Sequence, residues 1–344
     1  MQSFAKLSNA VTHTHSFKVD HKMTDTTGTH QIIAIEEHFM DRDLAKHFGH
    51  AAADPASPIG ERLYDFLDIR IREMDAAGVD MQVLSHQSPG TQRLGADVAV
   101  QECQAVNNVL AAAIAAAPDR FSGFAMIPTV DPAAAADEMT RAVEELGLKG
   151  AMIHGLSHGR FVDEPEFWPI FARAEALGVP VYLHPALPDK TVIERYYGAY
   201  AKSHPGLLRA GWGFGVETGT QAVRLVLSGL FDKHPDVKLI LGHLGESIPF
   251  LMERIDETFS RKENEAVAFR ETFLRNFVVT TSGFFSDSAL KCCIEELGVE
   301  RILFAIDWPY VKNEDGVNWL SKFDMDPADK DKIFSGNAKA LLGL

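Results

Sequence analysis

Along this chain, short apolar runs alternate with longer segments that carry apolar residues at helical spacing. The strand-like runs are QIIAIEE (31–37), DMQVLSH (80–86), FSGFAMIP (121–128), LKGAMIH (148–154), VPVYLHP (179–185), VKLILGH (237–243), NFVVTTSG (276–283) and ERILFAID (300–307). Each is rich in β-branched or aromatic residues and bounded by turn formers, the signature of a buried strand. Helices are predicted over Glu61–Ala77, Asp97–Ala117, Pro132–Leu146, Pro165–Leu177, Thr218–His234, Ser247–Arg261, Ser286–Leu297 and Pro327–Leu342. Gly78, Gly147 and Gly178 supply left-handed C-terminal caps, and Asp131 with Pro132 supplies an N-terminal one.

Eight strand–helix units predict an α/β fold, a (β/α)8 barrel with a parallel inner sheet, rather than an open doubly wound sheet. Two connections are long: Asp41–Gly60 after strand one, and Ala186–Glu217 after strand five. Both belong to the face where barrels keep their active sites, and the second carries Tyr196, Tyr197, Tyr200, Trp212 and Phe214. Residues 1–29 are polar and aperiodic and are expected to form a flexible leader, leaving 30–344 as one catalytic domain.

Polar residues interrupt the apolar pattern at the strand ends. Residues two apart on a strand share a face, so Glu36 and His38 point together, in phase with Ala34. With Ile33 and Ile35 turned outward to the helices, Glu36 and His38 enter the barrel mouth. Strand five ends in His184, strand six in His243 and strand eight in Asp307. Singly, each reads as an ordinary hydrogen-bonded residue. Together, two carboxylates and several imidazoles at one barrel end form a ligand set for Zn²⁺ or Mn²⁺. His86 and His154, at the ends of strands two and four, are candidates for substrate contact. The pair His13 and His15 lies in a polar leader with no strand before it and is expected to be inert, with His21 and His30 grouped beside it. His204 and His234 precede prolines in loops and read as structural.

The net charge of −15 disfavours nucleic acid and anionic membrane as partners. The apolar run Val109–Ala117 is too short to span a bilayer. Three cysteines make no disulfide framework, and a cytoplasmic protein is expected. No glycine-rich phosphate loop follows any strand.

In order, IEEHF, YLHP, GFGVETG, GLFDKHP, ILGHLGE, TTSG and FAIDWPY resemble the metal-dependent, non-oxidative aromatic acid decarboxylases of the amidohydrolase superfamily. That group includes γ-resorcylate, 2,3-dihydroxybenzoate and 5-carboxyvanillate decarboxylases, with aminocarboxymuconate semialdehyde decarboxylase more distant. The resemblance covers about residues 31–344. It implies that Glu36, His38, His184 and Asp307 bind a divalent metal and that Asp307 also donates a proton. It implies that His243 and Glu246 form a pair beside the substrate, and that Arg254 reaches a neighbouring subunit's site. His154 stands where relatives often carry Asn.

The implied reaction has a physical logic. Loss of CO2 alone would leave an aryl carbanion, so the carboxylate-bearing ring carbon is protonated first, and an ortho phenolate pushes electron density to it. A divalent metal can hold the phenolate and the carboxylate together and fix the ring geometry, and no organic cofactor is expected. Asp307 must carry a proton at the moment of transfer. The expected protein is thus a carboxy-lyase for an ortho-hydroxy aromatic acid in aromatic compound catabolism, assembled as a homodimer or homotetramer. The alternative is a metal-dependent hydrolase of a lactone, ester or amide on the same barrel.

Overall fold

The structure, a computed structural model, describes residues 30–49, 53–265 and 267–344. The histidines at 13, 15 and 21, and the expected leader, lie outside the described residues.

The eight predicted runs each form a strand. They are β1 (Ile33–Phe39), β2 (Met81–His86), β3 in two pieces (Phe121–Gly123 and Ala125–Met126), β4 (Ala151–His154), β5 (Val181–His184), β6 (Leu239–Leu241), β7 (Phe277–Thr280) and β8 (Ile302–Leu303). All neighbouring pairs are parallel. The break in β3 is bridged by the Phe124 amide, which donates to Leu84 O at 2.9 Å, while Ala125 N donates to Gly150 O at 2.8 Å. The ring closes where Ile35 N donates to Phe304 O at 3.0 Å and His38 N to Trp308 O at 2.7 Å. The fold is a (β/α)8 barrel.

Two apolar layers follow from strand alternation. The lumen holds Ile33, Ile35, Val83, Phe124, Met152, Tyr182, Ile240, Leu303 and Ala305, with Ala338 and Leu342 of the C-terminal helix packed against them. The other face, including Ala34, Leu84, Ile153, Leu183 and Leu241, packs in the larger cluster that contains the helices' buried residues. Ile33 and Ile35 therefore point inward, opposite to the orientation expected from sequence.

Several helices differ from the pattern. Glu61–Ala77 is two helices, Pro58–Leu63 and Ile69–Ala77, because the Asp65 carboxylate takes the Arg70 amide at 3.0 Å and starts the second. The segment expected at Thr218–His234 is Gly213–Leu227 followed by Leu230–Lys233, with Gly229 left-handed between them. Helices Phe269–Asn276 and Asn313–Lys322 were not anticipated. His30 belongs with the barrel, not the leader: it pairs with Asp331, and its ring lies 5.4 Å from that of Phe334. Among the described residues, no helix is long and apolar enough to cross a membrane.

Candidate metal centre

The inward turn of Glu36 comes from a β-bulge. Ile35 pairs with Val83 and Glu37 with Leu84, leaving Glu36 as the extra residue at φ 114°. A bulge inserts one residue and resets alternation. Ile33, Ile35 and Glu36 can then all face the lumen, and His38 follows. The sequence expectation of a shared face was right for Glu36 and His38, but the phase that justified it was wrong.

Glu36 is fully buried. Its Oε2 accepts from the hydroxyls of Tyr182 and Ser282, and from Thr280 at 3.4 Å. Its Oε1 has no hydrogen-bond donor and faces His184 Nε2 at 3.3 Å and His243 Nε2 at 3.8 Å. Burial alone would raise the Glu36 pKa, but His243, His184 and His38 outweigh it and hold the carboxylate ionised, well below its usual range.

The two histidine ligands are oriented from behind. His184 Nδ1 bonds Pro185 O at 2.7 Å, which in the neutral ring directs the Nε2 lone pair toward Glu36. His38 Nδ1 meets Ser85 Oγ at 3.2 Å, and its buried Nε2 has no hydrogen-bond partner. Ligand atoms from Glu36, His38 and His184 all lie within 4.8 Å of one another. Two buried, unpartnered polar atoms aimed at one point are costly unless a cation occupies it. One carboxylate oxygen and two imidazole nitrogens fit a borderline divalent ion.

Asp307 meets this group from the loop after β8, the strand beside β1. Its Oδ1 lies 3.3 Å from His38 Nε2, its side chain is about a fifth exposed, and its φ is 70°. It falls outside the compact three-residue group but touches it.

The sequence placed His243 at the end of a strand, but it lies beyond the strand. β6 stops at Leu241, and His243, Leu244, Glu246 and Ser247 form a left-handed turn with φ from 49° to 69°. The turn points the ring back at Glu36. His243 Nδ1 bonds Glu246 Oε1 at 2.8 Å. Burial would lower its pKa, but Glu246 and then Glu36 raise it to about 10. Two glycines make room for this turn: a Cβ on Gly215 would meet Glu246 Oε2 at 2.9 Å, and one on Gly219 would meet Glu246 O at 3.0 Å.

The remaining candidates divide. His154 is buried beside the cluster, its ring 5.0 Å from that of His184, and neither nitrogen has a partner. Burial, then His184, push its pKa well below the usual value, so it is neutral. His86 is not available to a substrate. Its Nδ1 bonds Gln87 O at 2.7 Å and its Nε2 accepts from Asp41 N at 3.1 Å, so both nitrogens tie loop backbone. Trp212 is exposed and Phe214 half-buried at the start of the helix Gly213–Leu227. Arg254 is exposed on the outer helix Ile248–Phe259 and is not brought to the cluster within the chain. His234 bonds Glu175 at 2.9 Å, a structural role as expected.

Residues 12–344 match the sequence profile of the amidohydrolase family. The chain belongs to that family. This amidohydrolase is 38% identical over 325 residues to a γ-resorcylate decarboxylase of Polaromonas, covering 91% of this chain and 98% of the relative. It resembles the crystal structure of a dihydroxybenzoic acid decarboxylase from Polaromonas with bound manganese and 2-nitroresorcinol (TM-score 0.84, 37% identity, 92% and 97% of the two chains). It also resembles 5-carboxyvanillate decarboxylase of Novosphingobium aromaticivorans complexed with manganese and 4-hydroxy-3-methoxy-5-nitrobenzoic acid (TM-score 0.85, 32% identity, 92% and 97%).

Sequence reasoning missed the hydroxyls behind Glu36 in this amidohydrolase. The signal was present: Tyr182 stands two residues before His184, and Thr280 two before Ser282, the spacing that linked Glu36 to His38. Tyr182 is a core residue of the lumen, with its hydroxyl as the functional end.

Proposed function

We propose that this protein is a metal-dependent decarboxylase of an ortho-hydroxy aromatic acid, with Mn²⁺ or Zn²⁺ and no organic cofactor. The observation that carries the proposal is the convergence of Glu36 Oε1, His38 Nε2 and His184 Nε2, two of them buried without a partner. Kinship with γ-resorcylate and 5-carboxyvanillate decarboxylases supports the chemistry.

Glu36, His38 and His184 would hold the ion, and Asp307, 3.3 Å from His38, would join them as a fourth ligand. A divalent ion bound there would supply positive charge for an acidic aromatic substrate. Asp307, at the rim, delivers a proton from its carboxyl oxygen to the carboxylate-bearing ring carbon. The C–C bond then breaks, CO2 leaves, and its electron pair restores aromaticity. His243 holds a proton on Nδ1 against Glu246 and keeps positive charge beside the reacting carboxylate. His154, neutral and unpartnered, offers a hydrogen bond to a ring substituent.

Exposed Tyr196, Tyr200, Trp212 and Phe250, with Arg254 near Phe250, support a homodimer or homotetramer in which Arg254 completes a neighbour's site and Trp212 and Phe214 border it. Three free cysteines support a cytoplasmic location.

The test is CO2 release from a panel of ortho- and para-hydroxybenzoates. The expected result is release from ortho-hydroxy acids that stops on chelation and returns with Mn²⁺ or Zn²⁺. No CO2 from folded, metal-loaded protein, with turnover of a lactone or ester instead, overturns the proposal in favour of a hydrolase.

A further inference from the structure

Glu37 lies between two ligands yet points away from them. It is fully buried, and its carboxylate receives two backbone amides: Ile306 N at 2.9 Å on Oε1 and Trp308 N at 3.1 Å on Oε2. Those residues flank Asp307 on either side. Asp307 has φ 70°, a left-handed conformation uncommon for a non-glycine residue. The grip is reinforced from β1, where His38 N donates to Trp308 O at 2.7 Å.

A second buried group locks the other side. The guanidinium of Arg70, with no exposure, donates to His38 O at 2.6 Å and Gln82 Oε1 at 2.9 Å, and lies 4.0 Å over the Trp308 ring. Arg70 thus joins the backbone of a ligand on β1 to the residue after Asp307. Further out, Trp308 Nε1 donates to Glu73 Oε2 at 2.8 Å.

We infer that Glu37 is a positioning residue: by gripping the amides on both sides of Asp307 it fixes the left-handed turn that aims the Asp307 carboxylate at His38 and the metal ligands. The inference deepens the decarboxylase reading and rests on it for the catalytic use of Asp307. A carboxylate suits the task because both oxygens accept. An amide in its place offers one acceptor and sets N–H groups against the second amide.

The test is a double-mutant cycle on Mn²⁺ affinity, read by calorimetric titration of metal-stripped protein, with Glu37→Gln, Asp307→Ala and the double variant. Glu37→Gln is expected to weaken Mn²⁺ binding by about ten- to a hundredfold, the range for partners behind metal ligands. In the Asp307→Ala background the same change is expected to have little effect, because the group it positions is gone. A merely structural Glu37 gives equal losses in both backgrounds, and that result overturns the inference, as does wild-type affinity in Glu37→Gln. Glu73→Gln, on the outer edge of the network, is expected to lower the melting temperature and keep Mn²⁺ affinity. If Glu37→Gln does not fold, Glu37→Asp carries the same cycle. Because Mn²⁺ binding is read without substrate, failure of the decarboxylase proposal shows only in the CO2 assay and leaves the cycle interpretable.

Discussion

Tyr182→Phe removes a single oxygen from the barrel lumen, and its consequence can be worked from the structure. The Tyr182 hydroxyl donates to Glu36 Oε2 and also meets Thr280 Oγ1 at 2.9 Å and Ser282 Oγ at 3.2 Å. The ring packs edge-on to Phe124 with centroids 5.9 Å apart, and phenylalanine preserves that contact. What is lost is one donor to a buried carboxylate, a bond worth about 1.5–3 kcal/mol. That bond holds Oε2 and so aims Oε1 at the histidines. Thr280 and Ser282 remain as donors, so the lower part of the range is expected. At 1.4 kcal/mol per decade this is roughly a ten- to thirtyfold rise in the Mn²⁺ dissociation constant. Calorimetric titration of metal-stripped wild-type and variant protein reads it directly. A falling melting temperature with unchanged Mn²⁺ affinity would refute the reasoning, because Tyr182 would then support the barrel without aiming Glu36.

Other consequences follow from the same geometry. Saturating Mn²⁺ at about a hundred times its dissociation constant should stabilise the fold by about 2.7 kcal/mol, and chelation should reverse the shift in a thermal melt. His86→Phe should cost about 1–3 kcal/mol, because it strips partners from Gln87 O and Asp41 N, yet leave the KM for substrate unchanged; a raised KM would restore His86 as a substrate contact. Glu217, on the helix Gly213–Leu227, has its pKa raised by burial, then by Asp189, to about 7. The unfolded chain ionises it near 4.5, so its folded form is favoured below that pH, and stability falls as pH rises from about 4.5 to about 7. Glu217→Gln should flatten that decline in urea titrations at pH 5 and 8, and an unchanged decline would remove Glu217 as its source. Asp307→Asn should bind an aromatic acid yet release no CO2, whereas full activity would take Asp307 out of proton transfer.

The eight strands were legible because barrel strands are buried on both faces and read as apolar runs between turn formers. The chemistry was legible because a charged residue ending such a run has few structural reasons to be there. Other features were written in side-chain contacts that no period reports. The helix at Glu61–Ala77 looks continuous by spacing, and it breaks because the Asp65 carboxylate captures the Arg70 amide. His86 ends its strand as His184 does, and nothing local separates them. Only the loop carried by Asp41 turns one into a backbone clamp, while Pro185 O leaves the other with a free nitrogen.

The phase error at Glu36 has a deeper cause. Among the described residues, seven non-glycine residues have positive φ, and six are Glu36 in the β1 bulge, His243, Leu244, Glu246 and Ser247 after β6, and Asp307 after β8. At about 1 kcal/mol or more each, their combined strain is a sizeable part of a domain's net stability of about 5–15 kcal/mol. Such strain persists only where surrounding structure fixes it. Here Glu37 grips both sides of Asp307, Gly215 and Gly219 admit the Glu246 turn, and three hydroxyls hold Glu36 in its bulge. Regular alternation would have sent Glu36 to the helix layer and left His184 facing no carboxylate. The positions where sequence periodicity fails are therefore the positions where the fold departs from ideal backbone to bring ligands together.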